Sequence, residues 1–167
     1  SVSDVKSVDL DYDGFNEVIA SSMDGHLYVL SRNGTLLWRH YNKCQAFSVE
    51  AADLDGDNRM EILLGGCRHL ELLTSTGEVL YSYNLGEESV DVKVFDLDGD
   101  GVLEIISASE EFSGRSSTLN VFDNEGNTLW TKSFRGERLK GLAVGFLDYV
   151  EGPEVIAGTD SIHVYNA

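Results

Sequence analysis

A nine-residue acidic phrase, written three times at nearly constant spacing, restricts what this chain can fold into more than any other feature. It reads Asp9-Leu10-Asp11-Tyr12-Asp13-Gly14-Phe15-Asn16-Glu17, then Asp53-Leu54-Asp55-Gly56-Asp57-Asn58-Arg59-Met60-Glu61, then Asp96-Leu97-Asp98-Gly99-Asp100-Gly101-Val102-Leu103-Glu104. The closing glutamates lie 44 and 43 residues apart, and Glu154, which ends a degenerate fourth copy, follows Glu104 by 50. Self-similarity at this period marks a repeat architecture, in which each unit buries its apolar face only against a neighbour. Each phrase runs into a short aliphatic stretch: Val18-Ile19-Ala20, Ile62-Leu63-Leu64 and Ile105-Ile106-Ser107. Such stretches read as buried β-strands, so each acidic phrase is a turn between two strands.

Alternating carboxylates at this density suit Ca²⁺, a hard cation that takes about six to eight oxygen ligands. Without a cation the like charges would repel. The spacing assigns side-chain ligands to positions one, three, five and nine: Asp9, Asp11, Asp13 and Glu17; Asp53, Asp55, Asp57 and Glu61; Asp96, Asp98, Asp100 and Glu104. Position seven (Phe15, Arg59, Val102) would supply its backbone carbonyl. An EF-hand loop begins the same way but needs a bidentate Glu at its twelfth position. Here that position holds Ala20, Leu64 and Ser107, and strands follow instead of helices.

Each repeat reads as four short strands. The first strands are Val5–Leu10, Phe47–Leu54, Val90–Leu97 and Leu142–Leu147; the second are Glu17–Ser21, Met60–Leu64, Leu103–Ser107 and Glu154–Ala157. The third are Leu27–Ser31, Leu70–Thr74, Leu119–Asp123 and Ile162–Tyr165; the fourth are Leu36–Tyr41, Val79–Asn84 and Thr128–Phe134. The turns between third and fourth strands end on Gly34, Gly77 and Gly126, as a tight turn with positive φ requires. Trp38, Tyr81 and Trp130 follow at matching places and are expected to pack between repeats. One domain covers residues 1–167, with repeats at about 1–44, 45–87, 88–137 and 138–167. The fourth repeat lacks a fourth strand, and its loop has Phe146 and Val150 where the first and fifth ligands should be, so it is expected to hold no metal. The third carries an insertion, Glu110–Ser117, expected to be a surface loop.

The chain has 167 residues and a formal charge of −17, with 42% apolar residues, 17 Gly and one Pro, as suits a β-rich globular chain. The metal loops account for twelve of its 29 acids, and three Ca²⁺ would bring the charge to −11. The remaining negative charge argues against nucleic acid and anionic membranes as partners. No apolar run is long enough to span a membrane as a helix, so no membrane insertion is expected. No leader segment is recognisable and the chain does not open on Met, as expected of a processed product or an excised piece. Cys44 and Cys67 lack metal-site spacing; a disulfide in an oxidising compartment and two unpaired thiols are both open.

Four-stranded repeats of this length, each with Asp-x-Asp-x-Asp-Gly-x-x-Glu between its first two strands, resemble the FG-GAP/VCBS family of integrin α-like β-propeller repeats. The resemblance covers essentially the whole chain. It implies an all-β fold of four-stranded antiparallel β-propeller blades, with Ca²⁺ in the three acidic loops through the residues named above. Asn58 stands where the family usually has Gly, and Asn tolerates left-handed backbone better than most residues. Family members normally close six to eight blades, so this chain is expected to be part of a longer propeller, or to be completed by neighbouring copies.

The resemblance implies an extracellular or cell-surface module that binds a protein or glycan ligand, and no enzyme. The ligand would meet the face opposite the metal loops, around Asp24–His26, Asn42–Gln45, Gly66–His69 and Glu110–Ser117. One alternative is a structural subunit of a surface filament or layer joined edge to edge, with copies of itself or further blades as partners. The other is a part of a polysaccharide-active enzyme. His26 and His69 sit at equivalent positions, which reads as structural, and no acid–base or nucleophile set stands apart from the loops.

Overall fold

The computed structural model describes residues 1–85, 88–111, 113, 115–147 and 152–166. Among them there is no helix, and hence none long and apolar enough to cross a membrane. Fifteen strands run in chain order: β1 Val2–Val8, β2 Glu17–Ser22, β3 His26–Leu30, β4 Leu36–Tyr41, β5 Ala46–Ala52, β6 Glu61–Gly66, β7 His69–Thr74 and β8 Val79–Asn84. They continue with β9 Glu88–Phe95, β10 Glu104–Glu110, β11 Ser116–Phe122, β12 Thr128–Arg135, β13 Gly141–Gly145, β14 Glu154–Gly158 and β15 Ile162–Asn166. They form three four-stranded meanders, β1–β4, β5–β8 and β9–β12, and one three-stranded meander, β13–β15. Neighbours pair antiparallel, as in Val18↔Leu30, Ile62↔Leu73 and Val155↔Tyr165. The all-β reading in four-stranded antiparallel repeats therefore holds, with three strands described in the last repeat.

Several strand ends differ from the expected ones by one to three residues, and two differences bear on the site. The first strands end at Val8, Ala52, Phe95 and Gly145, before the acidic phrase rather than inside it. In the first three repeats, the carboxylate of the opening Asp accepts N–H groups from further along the loop, which turns the chain out of the ladder. The insertion also shrinks: Glu110 ends β10, and Ser116 and Ser117 begin β11, paired with each other through Glu110↔Ser117. Phe112 and Gly114 lie outside the described residues.

The chain forms two compact units, Ser1–Ser89 and Val90–Ala167, each built around two sheets. In the first unit Ile19, Leu27 and Val29 of one sheet meet Val49, Ile62, Leu64 and Leu73 of the other, all fully buried. Trp38 joins this core and lies against Gly77, where a Cβ would stand 3.0 Å from the indole. Gly77 also has φ +90, so both its turn and its neighbour demand glycine. In the second unit Ile106, Ala108, Leu119 and Val121 meet Leu142, Val155 and Ala157. Trp130 packs on Tyr165 with ring centroids 6.0 Å apart. The tryptophans expected between repeats are there, whereas Tyr81 is 50% exposed and stacks on Tyr83 of its own strand, with ring centroids 6.2 Å apart.

One device fastens the sheets in both units. Asp4 on β1 accepts the Val49 N–H of β5 at 3.1 Å, and Asp91 on β9 accepts the Leu142 N–H of β13 at 3.1 Å. Both belong to the same tripeptide, Asp4-Val5-Lys6 and Asp91-Val92-Lys93, two repeats apart. Lys6 pairs with Glu50 across the sheets at 3.1 Å, while Lys93 pairs with Asp91 of its own strand at 2.8 Å.

Candidate metal loops

The acidic loops are tied together by their own backbone. In each, one oxygen of the first Asp accepts the N–H of position six: Asp9 from Gly14 at 2.9 Å, Asp53 from Asn58 at 3.0 Å, Asp96 from Gly101 at 3.0 Å. The third-position carboxylate accepts the N–H of position five, at 3.2 Å in Asp11, 3.0 Å in Asp55 and 3.1 Å in Asp98. Asp13 and Asp100 likewise accept from Phe15 and Val102, at 2.8 and 2.7 Å. These short side-chain-to-backbone bonds are what Asp offers in a turn, and they draw the carboxylates to one side. Asp9, Asp11 and Asp13 each bring an oxygen within 4.8 Å of the others, as do Asp53, Asp55 and Asp57, and Asp96, Asp98 and Glu104. Glu17, Glu61 and Asp100 are not among those groups. Phe15 and Arg59 are exposed on their loops, as is Val102.

Two loop positions demand left-handed backbone. Position six holds Gly14, Asn58 and Gly101, at φ 90, 63 and 90. Position four holds Gly56 and Gly99 at φ 75 and 79, but Tyr12 at φ 58 in the first loop. Left-handed backbone costs a residue with a Cβ roughly 1–2 kcal/mol. Tyr12 reaches toward the second loop, with its hydroxyl 3.9 Å from the Met60 sulfur. Desolvation, then the carboxylates of Asp53 and Asp9, raise the pKa of its phenol.

The ninth-position glutamate does something the sequence did not announce. Its Oε2 accepts the N–H of position two in all four repeats: Glu17 from Leu10 at 3.2 Å, Glu61 from Leu54 at 2.9 Å, Glu104 from Leu97 at 2.7 Å, Glu154 from Leu147 at 2.8 Å. All four carboxyls are buried. Burial pushes the pKa of Glu61 and Glu104 up against the lowering effect of those N–H bonds, and the loop aspartates add to the rise. The glutamate thus closes the loop whether or not the aspartates accompany it. The signal was available, because Glu154 survives in a repeat that has Phe146 and Val150 at the first and fifth ligand positions. The expectation that this fourth loop holds no metal falls on residues 148–151, outside the described residues.

The donor set suits Ca²⁺: every group is carboxylate oxygen, with no Cys or His. Among the described residues no Lys or Arg forms an ion pair with these carboxylates, so their mutual repulsion has no protein counter-charge.

At the other end of the strands, Cys44 and Cys67 form a disulfide with Cα atoms 6.0 Å apart. This resolves the alternative left open above and puts the β4–β5 connection beside the β6–β7 turn. In the second unit the same two places are bridged by polar groups. Glu137 bonds the Thr159 hydroxyl and lies 3.2 Å from His163 Nε2. These two partners, the hydroxyl first, hold the Glu137 carboxyl below its usual range. His26 contacts Tyr28 and Tyr41, with centroids 5.6 and 5.0 Å away, and lies 3.3 Å from Asp24. Asp24, bonded first by the Tyr28 hydroxyl, has its pKa lowered to about 2.

A family model described as the lambda-carrageenase beta-propeller domain matches residues 1–48. No curated protein matches the chain significantly in sequence. Among solved structures it is similar to the V. cholerae biofilm matrix protein Bap1, at 24% identity and TM-score 0.68 over 85% of this chain and 22% of that one. It is also similar to the Dos1 propeller, at 16% identity and TM-score 0.69 over 99% of this chain and 44% of that one. The chain spans less than half the length of either structure. With four successive antiparallel meanders, this likeness identifies the chain as a run of β-propeller blades.

Proposed function

We propose that the chain is a calcium-binding β-propeller module of FG-GAP/VCBS type, extracellular or on the cell surface, which mediates macromolecular binding or adhesion and is not itself an enzyme. The observation that carries this is the threefold recurrence of converging carboxylates in loops with one shared N–H network. Calcium would neutralise the carboxylates and fix the turn between the first two strands of each blade. The Cys44–Cys67 bond suits an oxidising compartment. Similarity to a biofilm matrix protein and to a carrageenase propeller domain supports a place outside the cell and a protein or glycan partner. The charge of −17 weighs against nucleic acid, and no part of the reading requires membrane insertion.

A second reading, a subunit of a filament or layer, is favoured by one observation. Among the described residues the last meander has three strands, β13–β15, and in this reading a strand of a second copy would complete it. The carrageenase match favours a third, a non-catalytic part of a polysaccharide-active enzyme.

Calorimetric titration with CaCl₂ tests the leading reading. Three equivalents are expected, at Kd of about 10⁻⁴–10⁻³ M as in extracellular modules. Zero or four equivalents would defeat it. Light scattering separates the second reading, which a lone soluble monomer at all concentrations would sink.

A further inference from the structure

We propose that the acidic-loop end of the first unit binds a neutral polysaccharide, with Tyr12 as a stacking platform and the cleft walled by Trp38 as the seat of a sugar ring. The inference rests on the macromolecule-binding reading above and gives it a ligand class and a place, opposite the end that the family resemblance points to.

The first loop differs from its sisters in ways that folding does not explain. Where the second and third loops keep Gly56 and Gly99, it places a tyrosine in left-handed backbone, and leaves that side chain 49% exposed. Where they have Arg59 and Val102 it has Phe15, 50% exposed, with the Arg32 guanidinium 3.8 Å over its ring. A strained residue that gains little burial is a mark of a working surface. The same end of the unit carries a cleft of about 230 Å³ lined by Asp11, Leu37, Trp38, Ser75 and Thr76. The indole is backed by Gly77 and cannot retreat.

These groups match the two-sided chemistry of a sugar. Its C–H face stacks on an aromatic ring, while its hydroxyls meet the Ser75 and Thr76 hydroxyls. Charge chooses between neutral and anionic chains. Asp11 and Glu17 line the cleft, and the whole chain keeps −11 with three Ca²⁺ bound, so a sulfated or carboxylated polymer is repelled. The other ring cluster, His26–Tyr28–Tyr41, makes a poorer candidate. Tyr28 pairs across its sheet with Ala20 as Glu71 does with Leu64 and His163 with Ala157. Glu71 and His163 face the neighbouring sheet, where they meet His40 and Phe134.

The test is affinity electrophoresis of the 167-residue chain in calcium, through gels containing galactomannan, mixed-linkage glucan or dextran, with carrageenan as the sulfated arm. Retardation by at least one neutral polymer is expected. Tyr12→Gly combined with Leu37→Ala should weaken it about tenfold or more. Tyr12→Gly installs the residue of the sister loops, so calcium uptake and the melting temperature should not fall. Equal retardation of the double variant would overturn the site and leave the module reading standing. Retardation by carrageenan alone would overturn the ligand class. Retardation by none of these polymers would overturn the inference outright, while calcium stoichiometry would still decide the module reading separately.

Discussion

The two units solve one problem with different chemistry. Each must hold a pair of twisted sheets face to face, and each uses an aspartate on its first strand to accept an N–H from the neighbouring sheet, Asp4 from Val49 and Asp91 from Leu142. At the far end they part. The first unit ties its connection to the next sheet by the Cys44–Cys67 bond, whereas in the second Glu137 of the β12–β13 connection meets Thr159 of the β14–β15 turn and His163 of β15. The histidine–glutamate contacts are reversed as well: His40 of the first sheet meets Glu71 of the second at 2.8 Å, but Glu137 precedes His163. Bonds made to backbone recur because every repeat presents the same N–H. Bonds between side chains need only complementary partners, so they can be rebuilt in another form.

The units also differ in their loops, two full acidic sets against one, and this sets the largest expected effect. At about 2 mM free Ca²⁺ and a Kd of about 10⁻⁴ M, each site stabilises by about 1.8 kcal/mol. Chelation should therefore cost the first unit about 3.6 kcal/mol and the second about half that. The chain has one tryptophan in each unit, so Trp130→Phe leaves Trp38 to report the first and Trp38→Phe leaves Trp130 to report the second. Equal shifts of both signals in EDTA would break the contrast. The disulfide comes next. It closes a loop with a sequence separation of 23, so Cys44→Ser with Cys67→Ser should destabilise the first unit by about 3 kcal/mol. The Trp38 unfolding midpoint in urea should fall while the Trp130 midpoint holds. The smallest effect sharpens the comparison of loops within the second unit. Glu154→Ala leaves the Leu147 N–H without its carboxylate and should cost about 2 kcal/mol, the same with and without calcium. Glu104→Ala loses the same kind of bond and a ligand, so its cost should be larger in calcium than in EDTA. A calcium-dependent Glu154→Ala would show that the fourth loop also holds metal.

Much of this was legible before any coordinates. Period, turn glycines and aliphatic runs specified every strand, because a strand that alternates into a core and a turn that needs positive φ leave marks in local sequence. The acidic phrase named its own cluster, since side-chain bonds to backbone two to five residues away depend on little beyond the loop. Asn58 at φ 63 shows how local that logic is. Apart from the tryptophans between repeats, what escaped was most of what joins one sheet to the next. Asp4 and Asp91 belong to no motif of the acidic loops, although the repeated Asp-Val-Lys tripeptide marks them. The pairing of Cys44 with Cys67, the cradle that Gly77 makes for Trp38 and the lean of Tyr12 toward Met60 all bring together residues from segments far apart in the chain. The sequence by itself determined the blades and their acidic turns, because those rest on short-range bonds and on one period. Only the tertiary structure decided how blades are fastened and which end offers a cleft. Those depend on contacts between chain segments whose register no local pattern encodes.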